Sequence, residues 1–371
     1  MNSATFNPKS TSFLRRMHID GVLLIGLLTL MAVGLVTIYS AGGQDAGLIQ
    51  RQVIRLGLAL VVMIVLAQIP PMMYRGMAVY FYAIGLLMLV GVLLFGVMGK
   101  GAQRWLDLGF MRFQPSEIMK LAVPIMVAWY ISKFTLPPRT HHIIMGFIMV
   151  AIPTVLIAKQ PDLGTSLLIA SSGIFALFLA GMTWRLITVI SILAGAFAPI
   201  MWFFLMKDYQ KQRVLTFLNP ESDPLGSGYH IIQSKIAIGS GGMDGKGWLQ
   251  GTQSQLEFLP ERHTDFIFAV FSEEFGLLGV FGLLGIYAFI IVRGMWIAAR
   301  AQDAFSKLLA GAITLTFFVY VFVNIGMVSG LLPVVGVPLP LVSYGGTSMV
   351  TLLAGFGILM AISTQARLMS R

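Results

Sequence analysis

Asp265 is the residue in this sequence best placed to move a proton. It closes the run Leu256, Glu257, Phe258, Leu259, Pro260, Glu261, Arg262, His263, Thr264, Asp265, the richest ionisable cluster in the chain, and an apolar stretch starts directly after it at Phe266. A carboxylate at such a boundary is partly desolvated yet still reaches solvent, which suits it to take a proton from an attacking hydroxyl. The plainer role for the same residue is to cap the helix that begins at Phe266. His263 and Asp265 also bring together two metal-ligand types, too few to specify a metal centre.

A second set surrounds the stretch from Lys100 to Lys120. Glu117 and Lys120, three residues apart, share one face of a helix. They read either as an ion pair, with Lys120 snorkelling to the interface, or as part of a cationic cradle for a pyrophosphate. In that cradle Arg104 and Arg112 would be bidentate clamps and Lys120 a point charge. Asp162 precedes Leu163, Gly164, Thr165 and Ser166, and Ser343 lies within the segment Pro338 to Ser348. Both places set hydrogen-bonding groups beside glycines that allow a ligand to approach the backbone, with simple packing as the alternative. Lys159 adds a further cation just before Asp162. Glu273 and Glu274 fall within a predicted span, about 12 Å below Asp265 by helical rise, so they must be protonated, paired or in a cavity. The run Gly239 to Gly247 is glycine-rich but lacks the spacing and the Ser or Thr after Lys of a phosphate loop, and no His-Glu-x-x-His motif supports zinc hydrolysis.

The elements that must position these residues are membrane helices. Of 371 residues 57% are apolar and 11% charged, with no cysteine. That charged share is less than half of the ~25% expected of a soluble domain. Runs such as 21–39 and 78–97 are apolar on every face, which excludes the alternation of a β-barrel. The predicted fold is an all-α integral membrane protein of one domain over residues 1–371, with spans at 20–40, 53–68, 78–97, 116–134, 143–158, 164–181, 184–206, 266–292, 305–328 and 346–366. Residues 1–19 form a polar, basic tail that is retained with the first span as an uncleaved anchor. The net charge of +10 sits in short clusters between spans, which points to membrane orientation and away from nucleic acid. With both termini cytoplasmic, the inner segments hold twelve basic residues and the short outer loops six, Arg104, Arg112 and Lys159 among them. The acidic residues concentrate on the outer side, so the chemistry is expected there. The large outer loop at 207–264 is too apolar for a linker, and Tyr229, Ile232 and Ile236 share one face as in an interfacial helix.

Five segments then carry a resemblance that covers essentially the whole chain. Lys100 to Leu106, Phe113 to Glu117, Gln160 to Thr165, Glu257 to Phe266 and Gly336 to Pro340 resemble the signature segments of the shape, elongation, division and sporulation (SEDS) family of bacterial membrane proteins. The resemblance implies a ten-helix peptidoglycan glycosyltransferase of the inner membrane that polymerises lipid II on the periplasmic face during cell elongation. It also implies a nascent glycan strand as co-substrate, a class B penicillin-binding transpeptidase as partner, and a place in the elongation machinery. Asp265 matches the family's essential acid, and Arg112, Glu117, Lys120 and Asp162 match positions that matter in it. Roles for Arg104, Lys159 and Ser343 are our inference from residue type and place. The departing undecaprenyl pyrophosphate needs preorganised cations or a divalent metal, Mg2+ or Mn2+. Two other functions suit many spans with internal acids: a lipid II flippase, whose charges should track across the membrane, and a noncatalytic scaffold for a transpeptidase, which leaves the Asp265 cluster unexplained.

Overall fold

The computed structural model describes residues 17–99, 102–107, 109, 112–206, 208–223, 227–256, 258–259 and 261–369. Residues 1–16 of the expected tail, Lys100 and Glu257 lie outside the described residues, as does the side chain of Arg112.

Every predicted span is a helix. In chain order these are α1 (Gly21–Ala41), α2 (Ala46–Ala67), α3 (Pro71–Phe95), α4 (Pro115–Ile131), α5 (Thr140–Lys159), α6 (Leu163–Leu179) and α7 (Trp184–Ile200), which a π turn extends through Met201–Leu205. The predicted outer loop folds into α8 (Asp208–Leu218), a 3-10 turn, α9 (Ser227–Gly241) and the single turn α10 (Thr252–Gln255), and the chain ends with α11 (Ile267–Arg300), α12 (Ala304–Val328) and α13 (Thr347–Met369). Among the described residues eight helices are long and apolar enough to cross a membrane, so the protein is a multi-pass membrane protein. The other two predicted spans, α4 and α6, have 17 residues each. Helix starts follow local chemistry: Asp20, Asp45, Asp162 and Asp303 each cap a helix through the carboxylate, and proline occupies the first turn of α3 and α4.

The segment between α3 and α4, predicted as a loop, contains three short antiparallel strands, β1 (Val97–Gly99), β2 (Ala102–Asp107) and β3 (Arg112–Phe113). Leu106 pairs with Phe113 and Asp107 with Arg112, so the strands fold the cationic stretch back over the start of α4.

Burial shows which helices form the centre. The most apolar stretches of α12 and α13 are 72% buried inside the bundle, whereas none of the described side chains of α7 is buried. α12 packs on α4, α6 and α11, and α13 on α2. At one end of the bundle Arg293 of α11 forms an ion pair with Asp20 at 2.7 Å, and Ser363 of α13 donates to the same carboxylate at 2.8 Å. Asp265 lies at the opposite end, because α12 starts beside Arg300 and reaches Asp265 through Asn324, some 30 Å along its axis.

The structure corrects the eighth span. As one straight helix α11 would be about 51 Å long, far more than a bilayer core requires. Gly276, at φ 62 and ψ −164, divides it. The spanning part follows this break, and Ile267–Phe275 is a separate buried half helix, so Glu273 and Glu274 lie at the break. The outer-loop expectation also resolves into two faces. Ile231, Ser234 and Ala237 of α9 are buried, while Ile236 on the predicted interfacial face is exposed.

Candidate functional site

Asp265 is half-buried and does not cap α11: that position is Phe266, which makes no side-chain cap bond. The Asp265 backbone is fixed by α12. Asn324, fully buried on α12, donates from Nδ2 to the carbonyl oxygens of Asp265 at 2.9 Å and Val337 at 2.7 Å. The segment from Val335 to Tyr344 wraps the other side. Gly336 has φ +73, and a methyl group there would stand 3.5 Å from Asp265 Oδ2, so the lack of a side chain keeps space beside the carboxylate.

Ser343 ties this segment down. Its hydroxyl donates to the Thr264 carbonyl at 2.6 Å and accepts from the Leu339 amide at 2.8 Å, while the Tyr344 amide donates to the His263 carbonyl at 2.8 Å. The hydroxyl therefore bridges the backbone just before Asp265 to the Leu339 turn, which makes Ser343 a positioning group. Tyr287 adds a bond from its hydroxyl to the Pro340 carbonyl at 2.7 Å. Beside the turn an open cleft of ≈ 300 Å³ is lined by Leu48, Leu259, Glu261, Arg262 and His263.

The same two supports bring in the other predicted residues. One turn before Asn324, the Tyr320 ring lies 5.4 Å from Lys120 Nζ, so α12 presents Asp265 and Lys120 on successive turns. Lys120 and Glu117 form an ion pair at 2.7 Å, both buried. Asp162 is brought in through α6. A methyl on Gly164 would lie 2.8 Å from the Val335 carbonyl, next to the glycine beside Asp265. Arg104 reaches across from β2, its Nε 3.4 Å from Asp162 Oδ2 and its Nη2 donating to the Pro161 carbonyl at 3.0 Å. It thus anchors the Asp162 turn while its side chain stays 31% exposed. Lys159 is exposed on the last turn of α5, outside this contact network. Among the described residues no three His, Asp or Glu side chains converge as a metal site.

The FtsW/RodA/SpoVE family model, described as cell cycle protein, matches residues 14–368. The chain belongs to this family. It is 58% identical to the peptidoglycan glycosyltransferase MrdB of Escherichia coli strain K12, over 99% of both chains. Among solved structures it resembles a chain from a peptidoglycan synthase complex that coordinates polymerization and crosslinking, with TM-score 0.82 and 32% identity over 94% of this chain and 98% of that one. It also resembles the rod shape determining protein RodA of Thermus thermophilus, with TM-score 0.70 and 28% identity over 93% and 96%.

In this FtsW/RodA/SpoVE chain several supporting residues escaped the sequence reading. Asn324 and Gln52 were legible only as polar residues in apolar helices. Gln52 is buried and lies 3.4 Å from both the Ser343 carbonyl and the Gly345 amide. Arg55 stacks over the Tyr344 ring at 4.7 Å. His230 of α9 stacks on Phe266 at 5.7 Å, and burial pulls its imidazole below the usual value against the opposing pull of Glu261. Asn324→Leu removes the partner of the buried Val337 carbonyl, at about 1–3 kcal/mol, and of the half-buried Asp265 carbonyl. We expect a lower melting temperature in detergent together with weaker activity, and an unchanged melting temperature would deny Asn324 this role.

Proposed function

We propose that this chain is a peptidoglycan glycosyltransferase that polymerises lipid II into glycan strands on the periplasmic face of the bacterial inner membrane during cell elongation. The observation that carries the reading is the Asp265 carboxylate beside the open position at Gly336, at the end of the bundle that also holds Lys120 and Arg104. Asp265 takes the proton from the 4-hydroxyl of the acceptor GlcNAc as that oxygen bonds to the anomeric carbon of the growing strand's MurNAc. The bond from that carbon to the diphosphate oxygen breaks, its electron pair leaves with undecaprenyl pyrophosphate, and direct displacement turns an α-linked donor into a β-linked product.

Countercharge for the diphosphate comes from Arg104, Arg112, Lys120 and Lys159. A divalent cation, Mg2+ or Mn2+, would add countercharge for the departing diphosphate. Glu117 and Asp162 hold Lys120 and Arg104 in place. Both termini lie in the cytoplasm, with Arg293 and Arg300 at the same end of the bundle as Asp20. A class B penicillin-binding transpeptidase of the elongation machinery is the partner, a reading supported by the relative solved in a peptidoglycan synthase complex. The flippase alternative expects charges spaced through the bilayer. Among the described residues the buried charges instead gather at the two ends, Asp20 at one and Glu117, Lys120, Asp162, Glu273 and Glu274 at the other.

The test is conversion of labelled lipid II by the purified chain reconstituted with its transpeptidase. Glycan strands of many disaccharides are expected. Recovery of lipid II alone, or its mere transfer between leaflets, ends the glycosyltransferase reading.

A further inference from the structure

The glycine-rich stretch dismissed above as a nucleotide loop has a different task. At the Gly276 break, backbone groups that a continuous α11 would pair internally are taken by residues 242–247. The Lys246 amide donates to the Glu273 carbonyl at 3.0 Å and the Gly247 amide to the Glu274 carbonyl at 3.0 Å. In return the amides of Leu277 and Leu278 donate to the carbonyls of Gly242 and Met243 at 3.0 and 3.1 Å. A methyl at Gly276 would stand 2.3 Å from the Gly245 nitrogen, so the two backbones meet without room for a side chain.

A charged plug completes the joint. Glu273 has no exposed surface, and its Oε1 accepts from Lys246 Nζ at 2.7 Å, the Gln253 amide at 3.0 Å and the Thr252 hydroxyl at 3.2 Å. Next to it the Ser40 hydroxyl at the end of α1 donates to Glu274. The half helix Ile267–Phe275 is thus gripped at its far end by this joint, and Asp265 leads directly into its near end. A buried carboxylate with a lysine partner is an expensive way to close a loop, since an apolar contact of similar size is commonly as stable. A fixed direction is what the pair supplies in addition.

We propose that Lys246 and Glu273 form a positioning latch: by plugging residues 241–253 into the break of α11, the pair sets the tilt of the half helix and so the place of the Asp265 carboxylate. The latch serves the glycosyl transfer proposed above and rests on that reading for its function, though not for its geometry. Neither residue is catalytic. A displacement of about 1 Å at Asp265 is enough to reduce kcat on the order of 100-fold.

The chain has no cysteine, so two introduced thiols can be spin-labelled cleanly. With Glu261→Cys on the exposed turn before Asp265 and Leu94→Cys on the exposed end of α3, the distance distribution is read in nanodiscs without lipid II. Lys246→Met should shift or broaden that distribution and lower kcat, with KM within about twofold and Lys246→Arg restoring both. The double variant Lys246→Met with Glu273→Gln removes the bare buried charge and should regain the melting temperature while the distance stays shifted and kcat stays low, which separates lost positioning from simple misfolding of the single variant. An unshifted distance in Lys246→Met overturns the latch whatever the enzyme does. A loss that falls on KM and leaves kcat intact overturns it too. If the distances respond but wild-type protein makes no strands, the proposed reaction fails and the latch stands.

Discussion

Asp265→Asn protein is expected to fold, insert and melt as the parent does while losing lipid II polymerisation by about 10²- to 10⁴-fold, the usual contribution of a positioned general base. The expectation of intact folding comes from the way the residue is held. Asn324 bonds the Asp265 carbonyl, which the substitution leaves in place, and the helix cap is Phe266, so the substitution removes no cap bond of the kind that costs about 1 kcal/mol. An amide fills nearly the same volume beside Gly336 but does not take up the proton. The check is strand length on gels of labelled lipid II alongside a melting curve for each protein. Polymerisation at the parent rate by Asp265→Asn would remove Asp265 as the base. A melting temperature lowered in step with activity would return the residue to a structural role.

The fold was largely legible because a bilayer sets so simple a constraint. About twenty apolar residues must be a helix there, and all ten predicted spans are helices, most within a few residues of their predicted ends. The predicted site was legible where chemistry is local. The Asp162 turn is a helix cap as well as the partner of Arg104, and Glu117 and Lys120 meet because three residues make almost one helical turn. Sequence reasoning stopped where partners are remote. Gly276 looks like any other glycine in a membrane span, and only a segment some thirty residues earlier turns it into a break. The partner of Glu273 lies 27 residues upstream in a run whose composition suggested nothing structural. Ser343 also has a remote partner. A serine beside glycines suggests a ligand contact, and the bonds of its hydroxyl to Thr264 and Leu339, 79 and 4 residues away, could not be read from that spacing.

The ion pair of Glu117 and Lys120 admits both readings given to it from sequence, a helix-end pair and a phosphate cradle, and a double-mutant cycle separates them. Both side chains are at most 9% exposed and lie 2.7 Å apart, so solvent screens the pair little. Lys120→Met leaves the Glu117 carboxylate buried without its cation, which should cost about 3–5 kcal/mol of stability. Adding Glu117→Gln removes that charge and should restore most of the melting temperature. If the pair is only structural, the double variant regains its activity along with its stability. If Lys120 meets the diphosphate charge as it develops, the stable double variant remains slow, with kcat down by about 10²- to 10³-fold, as when one preorganised donor is lost from a transition state. We expect the second result. Lys120 of α4 meets α12 at Tyr320, one turn from the Asn324 that supports Asp265, so the same helix couples the cation to the proposed base.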